Sequence, residues 1–490
     1  MAPPHRHDTD YEKIFHPMRL AIAGVSAEGG LSFGSSILRA LLAMGYEGEI
    51  FPVNPRGGTI ADLTIYERIE DIPGPLDYAI IAVAAKAVPA ILEACRHKGA
   101  AGAQVISSGF SELGTPEGIA LEEEIRTIAE QGIRVIGPNC FGIYCPQSGL
   151  TFLPNPDLPR EVGPVAFLSQ SGGMASDFAN TGKWMGIRFS KVVSFGNGVD
   201  LRETELLRYL GDDPQTRVVA LYIEGIKDGD AFFGELHAVS RRKPVIVYKG
   251  GLSPAGQRAV VSHTASMAGS ETIWHSILTQ ARTVQTHNMQ EMAQACLAFS
   301  LLPPVAVKGI SVVGGGGALG VAACDAAEAF GLEIPPLRND LKARIESLLP
   351  KSGASASNPI DVANPYIAPD TLKEILLVSA QDDRIDCQVV ISLLYHFRER
   401  AHATGRPIAE VVPYSELADA VRDVVRDTGK PIIIVLPNTR RGLDDLDIVE
   451  MQAHARQAFI EHGLPVFDEI EDTIRAIGHV NTYYGETCIP

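Results

Sequence analysis

Cysteine is scarce in this sequence: seven residues in 490, scattered, odd in number and without a C-x-x-C pair. That excludes a disulfide framework and fits reduced thiols in a cytoplasmic protein. Positive charge is also short. Lys and Arg number 42 against 59 Asp and Glu, for a formal net charge of -17 and a pI near 5.2. Nucleic acid is thereby excluded as the main partner, and an anionic substrate has to be met by single Arg or Lys side chains or by helix N-termini. No apolar run approaches a membrane span, and Met1 to Tyr11 is polar and His/Asp-rich, without the apolar core of a signal peptide. The expected setting is the cytoplasm, away from membranes. What is present is 46% hydrophobic and 21% charged, the composition of a globular protein long enough for about two to four domains.

The first region alternates short apolar runs with helical patterns. Leu20–Val25, Glu49–Val53, Tyr78–Val83, Gln104–Ser107 and Arg134–Ile136 read as strands, and Ser36 to Met44 as a helix. Buried strands alternating with helices predict a parallel, Rossmann-like sheet. The turn Ser26 to Gly34 is rich in Gly and Ser but lacks the G-x-G-x-x-G spacing. The second strand runs into Val53-Asn54-Pro55-Arg56 rather than an acidic residue, so an NAD ribose is not matched. Arg56 suits a phosphate on that ribose through paired, charge-assisted hydrogen bonds. The 3′-phosphate of coenzyme A and the 2′-phosphate of NADP both fit, as does a solvated arginine after a turn. Past the fifth strand, Gly137-Pro138-Asn139-Cys140-Phe141-Gly142 makes a sharp turn where open α/β sheets bind ligands. Cys140 there is either a reactive thiol or a small residue filling a tight turn. Proline-rich Thr151 to Pro164 breaks the periodicity and marks a boundary.

In the second region, the strand Pro164 to Leu168 leads into Ser169-Gln170-Ser171-Gly172-Gly173 and a helix to about Met185. Free N–H groups and the helix dipole make such a start an anion site, although Ser and Gly are also ordinary caps. Further strands are predicted at Val192–Ser194, Val218–Ile223 and Pro244–Tyr248, with Asp200 capping a helix between the first two. Arg258 to Gly269 reads as an exposed loop with His263 at its centre, and Ala281 to Phe299 as a helical tail. Ser169 to Gly173, Glu224, Lys249 and the His263 loop all follow strand ends. A parallel sheet gathers such ends on one edge, and a histidine, a carboxylate and an anion-binding helix start together suit phosphoryl transfer. No set of metal ligands is read. After the linker Leu301 to Pro304, a third region repeats the pattern: strands Ile310–Val313, Val389–Leu393 and Ile432–Val435, a loop Gly314 to Gly317, and a helix Ala318 to Phe330. The four glycines cradle a phosphate or form a plain tight turn, with no Lys-Ser/Thr to complete a P-loop. Pro350 to Pro365 is irregular and holds Asn358-Pro359-Ile360-Asp361, a candidate functional loop.

With these pieces in order, the chain resembles the α subunit of the NDP-forming acyl-CoA synthetases, the ADP-forming acetyl-CoA synthetase branch of the succinyl-CoA synthetase superfamily. The motifs that carry the likeness are Gly137-Pro-Asn-Cys140, Ser169-Gln-Ser-Gly172, Tyr222-Ile-Glu-Gly225 and Ser262-His-Thr-Ala-Ser-Met-Ala-Gly269. The resemblance implies a Rossmann-like CoA-binding domain over 1–150 and two flavodoxin-like parallel-sheet α/β domains over 151–300 and 305–490. It implies that His263 is phosphorylated with Glu224 in support, and that Ser169, Gln170, Ser171, Gly172 and Gly173 hold phosphate. The implied CoA site comprises Gly24, Ser26, Gly34, Asn54, Arg56, Val83, Ser108, Asn139 and Cys140. The implied reaction interconverts a carboxylic acid, CoA and ATP with an acyl-CoA, phosphate and ADP. No segment is left over for an ATP-grasp fold, so ATP/ADP and Mg2+ are expected on a separate β-type subunit. Gly314 to Gly317 departs from the branch's Asn-Ala-Gly-Gly turn, and Ala265 from its Ser-His-Thr-Gly-Ser. A CoA-binding module without chemistry and an NADP-dependent oxidoreductase remain as competing readings.

Overall fold

A computed structural model of the chain describes residues 9–27, 32–152, 158–264 and 271–487, with backbone alone for 260–264 and 486–487. There are two compact units, Met1–Met292 and Ala293–Pro490.

The first unit holds two large sheets and a two-stranded hairpin of Thr59–Ile60 with Leu63–Thr64. In the first, β1 (Arg19–Ala23), β2 (Glu49–Val53), β3 (Tyr78–Ile81), β4 (Gly102–Val105) and β5 (Arg134–Ile136) lie in the order β2-β1-β3-β4-β5, all parallel. Their near-continuous burial explains why they read as short apolar runs rather than alternating ones. Past β1 the chain turns at Gly24, where φ is +96° and a Cβ would stand 2.2 Å from the Ala82 carbonyl oxygen, so only glycine fits. The helix α1 (Phe33–Ala43) is capped by Ser32, whose hydroxyl accepts the Ser35 N–H at 3.1 Å and donates to the Gly24 carbonyl at 2.8 Å. Hydroxyls thus fasten both ends of the Gly/Ser turn, whose centre, Glu28 to Leu31, lies outside the described residues.

The second sheet contains β6 (Gly142–Tyr144), β7 (Val165–Ser169), β8 (Phe189–Ser194), β9 (Val218–Ile223), β10 (Val245–Lys249) and β11 (Val284–Thr286), in the order β11-β10-β9-β7-β8-β6. All pairs are parallel except β6 on β8, an antiparallel edge the sequence reading did not contain. Helix α2 (Gly172–Met185) follows β7, and α3 (Glu203–Asp212) lies between β8 and β9.

Three local expectations are corrected. Asp200 does not cap α3, whose cap position is Arg202. Its carboxylate instead takes the Arg134 guanidinium at 2.8 and 3.2 Å and the Val135 N–H at 2.9 Å, tying the first sheet to the second. Arg258 to Thr264 is not loop but the end of helix α4 (Pro254–Thr264), and α5 (Glu271–Gln280) follows. The expected tail from Ala281 is broken by β11, and helix α6 covers Met289–Leu301.

The second unit has a five-stranded parallel sheet of β12 (Ile310–Gly314), β13 (Ile360–Asp361), β14 (Cys387–Ile391), β15 (Ile432–Val435) and β16 (Val466–Phe467), ordered β13-β12-β14-β15-β16. Asn358 is buried and stitches this sheet: its amide donates to the Ile310 and Pro335 carbonyls and its oxygen accepts the Val312 N–H. The segment singled out as a candidate functional loop therefore has a structural task at its first residue. Gly314 to Gly317 joins β12 to helix α7 (Gly317–Ala329) beside a cleft of about 220 Å³. Among the described residues no helix is long and apolar enough to cross a membrane.

Candidate active site

The strands β7, β9 and β10 end together, with Ser169 opposite Tyr222 and Ile223 opposite Lys249 in parallel register. The turns beyond β7 and β9 share a cleft of about 340 Å³. One wall is the start of α2, Gln170 to Gly173. A second is the turn Asn139–Phe141 with Gly196 and Asn197. Glu224 lines it as well. Gly196 lets two turns meet, because a Cβ there would stand 2.3 Å from the Pro138 and Asn139 carbonyls.

At the helix start, the Ser171 hydroxyl caps the Met174 N–H at 3.3 Å and the Ala175 N–H opens the helical ladder to the Ser171 carbonyl. The N–H groups of Gly172 and Gly173 have no partner among the described residues, and a Cβ on Gly173 would meet nothing within 4 Å. Two donors at the positive end of a helix dipole thus line the cleft, which suits a phosphoryl group. Ser169 is placed differently. It is fully buried, donating to the Ser171 carbonyl at 2.7 Å and accepting the Ser171 N–H at 3.1 Å, so its hydroxyl shapes the turn. Gln170 braces the carboxylate turn, its amide oxygen accepting the N–H groups of Glu224 at 2.8 Å and Gly225 at 3.0 Å.

One Glu224 carboxylate oxygen accepts the Tyr222 hydroxyl at 3.1 Å, while the other is buried and has no partner among the described residues. An unpaired buried carboxylate oxygen is costly in a native structure and is best explained by a group still to arrive. The phenol beside it is pushed upward, first by burial and then by the Glu224 charge, so it stays a donor at neutral pH. Lys249, buried at the end of β10, donates to the Glu224 carbonyl at 2.8 Å and to the Gly250 carbonyl. Burial pulls its ammonium down to about 8, against the raising pull of the Glu224 charge. His263 stands in the last turn of α4; its side chain, and the rest of its motif from Ala265, lie outside the described residues. Helix α4 lies against the turn Ser111–Leu113, beside the same end of the first sheet.

Cys140 lines the cleft with only 2% of its surface exposed. Its thiol donates to the Val105 carbonyl at 3.3 Å, and burial pushes it up to about 12. Burial thus disfavours the thiolate, which suits the packing alternative for this residue. Asn139 beside it has φ +56° and donates through its amide to Asn197 at 3.4 Å.

A second cleft, of about 370 Å³, opens beyond β1, β2 and β3 and is lined by Gly24, Val53, Asn54 and Val83. Arg56 is exposed and outside this lining, where Arg68 and Glu70 stand instead as an ion pair at 2.8 Å. Of the other residues expected around CoA, Gly34 is buried against the Gly24 carbonyl, Ser26 donates its N–H to the Ser35 hydroxyl at 2.9 Å, and Ser108 is exposed and lines neither cleft. Asn139 and Cys140 join the phosphate-type cleft rather than this one. Sequence reasoning missed Arg68, 15 residues past the strand end at Val53, as well as Gly196 and Asn197. The two glycines of Gly196-Asn197-Gly198 mark a turn, but its meeting with Asn139 depends on two sheets coming together.

Residues 18–146 match the family model of a CoA binding domain, and residues 162–299 that of a succinyl-CoA ligase like flavodoxin domain. The chain is 33% identical to the acetate–CoA ligase [ADP-forming] I subunit alpha of Pyrococcus furiosus, covering 95% of this chain and 96% of that one. It is 32% identical to the acetate–CoA ligase [ADP-forming] II of Archaeoglobus fulgidus, covering 97% of this chain and 67% of the relative. Its fold matches the dinucleotide forming acetyl-coenzyme A synthetase 1 of Ca. Korarchaeum cryptofilum, solved with phosphate and ADP, at a TM-score of 0.81, 28% identity and 98% coverage of both chains. The two family models and these relatives show that the chain belongs to the ADP-forming acyl-CoA synthetases as an α-type subunit.

Proposed function

We propose that this chain carries the acyl and phosphohistidine half of the reaction that joins a carboxylic acid to CoA at the expense of ATP. The observation that carries the reading is the 340 Å³ cleft, where the Gly172–Gly173 donors and the unpaired oxygen of Glu224 converge. The phosphoryl group of an acyl phosphate would rest on the helix N–H groups, its bond to the acyl oxygen breaking and the carboxylate leaving as the bond to His263 forms. His263 would receive the phosphoryl group, one imidazole nitrogen attacking while Glu224 holds the other and stabilises the ring's growing positive charge. Gln170 and Tyr222 keep that carboxylate in place. CoA would lie in the 370 Å³ cleft, its adenosine between the ends of β1 and β2 and its thiol end towards Asn139. Acetate is one carboxylic acid the relatives support as a substrate. We infer domains over 1–150, 151–300 and 305–490, one for each of the three large sheets, with Gly142–Tyr144 reaching across from the first range to the edge of the second sheet.

The nucleotide step belongs to a second subunit, which we infer to be of ATP-grasp type, binding ATP or ADP with Mg2+. The Archaeoglobus relative supports this, since this chain covers only 67% of its length. The test is to offer the chain acetyl-CoA and labelled phosphate and look for an acid-labile, base-stable label on His263. Glu224→Gln should fold and label far more slowly, because a neutral amide stabilises an imidazolium poorly. Label on Ser262 or Ser266, or wild-type labelling of His263→Asn, would overturn the reading.

A further inference from the structure

Lys249 is buried, with 5% of its surface exposed, and among the described residues no carboxylate stands within ion-pair distance of it. Lys191, buried on β8, shows the ordinary arrangement, meeting Asp213 at 2.8 Å. The Lys249 ammonium instead makes three contacts. It donates to the Glu224 carbonyl at 2.8 Å, beyond the end of β9. It donates to the Gly250 carbonyl, on the approach to α4. It stands 5.1 Å from the ring centre of Trp274, in α5. Gly250 is the next residue in the chain, so that bond is local, whereas the contacts with Glu224 and Trp274 join the carboxylate turn to α5, the helix that follows the His263 segment.

A buried ammonium without a carboxylate partner is expensive, and an apolar side chain of similar length would fill the space without that penalty. The charge is therefore explained by what it holds. Two carbonyls and an aromatic face use its three donors and its field together. Resting on the reading of Glu224 and His263 given above, we propose that Lys249 is a positioning residue that fixes the Glu224 turn against α5, the flank that follows the His263 segment, so that carboxylate and imidazole meet in one geometry.

The experiment uses the full chain with acetyl-CoA and labelled inorganic phosphate, reading the rate of label on His263 per folded molecule alongside melting temperature. Lys249→Met retains the stem and removes the charge and the donors. Its maximal labelling rate should fall about tenfold to a hundredfold, the scale set by displacing a reacting group by an ångström, while half-saturating acetyl-CoA stays as in the wild type. Lys249→Arg retains charge and donors and should label faster than Lys249→Met. A Lys249→Met protein that melts lower yet labels at the wild-type rate overturns the proposal, because the lysine would then be structural only. Should Lys249→Met not fold, Trp274→Leu decides: slowed labelling with unchanged half-saturation supports the proposal, and the wild-type rate overturns it. A wild type that takes no label at all defeats the phosphohistidine reading itself, an outcome distinct from normal labelling in the variants.

Discussion

An arginine that reads a phosphate has to reach the cleft in which the phosphate lies. Arg68 lines the cleft beyond β1 and β2, while Arg56 is exposed outside it. If the 3′-phosphate of CoA is read there, Arg68→Ala should weaken CoA by about 1.5–3 kcal/mol, the range of a charge-assisted bond, and dephospho-CoA much less. Arg56→Ala should leave both ligands within about 0.5 kcal/mol, as surface substitutions usually do. Calorimetry with the two ligands checks both statements, and the reverse ranking would return the contact to Arg56. Glu224 was legible in the sequence because it ends an apolar run, and a strand end in a parallel sheet is a ligand edge. The partners of Lys249 were not, since two are main-chain carbonyls and the third, Trp274, lies 25 residues on.

Single elements show how a pattern can be right while its neighbour is misread. Asn288 caps the start of α6, accepting the Glu291 N–H at 2.8 Å, and Glu291 reaches back to accept the N–H of His287, the residue before the cap, at 2.9 Å. That signal was present, yet the apolar residues on either side joined strand and helix into one supposed tail. The strand Val284–Thr286 is only three residues long and gains its identity from pairing with β10, which no local window contains. Asp200 illustrates the opposite error. An Asp before a helical pattern is a good cap on propensity, but Arg134 lies across the join of the two sheets with its side chain 11% exposed, and its charge has the stronger claim. Asp200→Ala should therefore cost about 3–5 kcal/mol, the loss expected when one partner of a buried pair is removed, rather than the ~1 kcal/mol of a missing cap. Urea unfolding of the full chain followed by tryptophan fluorescence distinguishes the two values.

At the scale of the molecule, the alternation of strand and helix gave the three sheets, because parallel strands buried on both faces leave a strong apolar signal. The antiparallel β6 and the two-residue β13 escaped, being too short to show a period. The helical state of Arg258–Thr264 escaped for another reason: its small and polar residues resemble a loop in composition. The whole also divides the reaction. If the acyl and CoA sites lie in this chain and the nucleotide site in its partner, His263 has two donors that can be tested apart. Acetyl-CoA with labelled phosphate should label the chain alone. Labelled ATP should label it only when the β-type subunit is added, and that label should then be discharged by acetate and CoA. Adding ADP to the phosphorylated chain without the partner should leave the label in place, and adding the partner should move it to ATP. Labelling by ATP of the chain on its own, with His263→Asn refusing the label, would place the nucleotide site within these 490 residues and remove the need for an ATP-grasp partner.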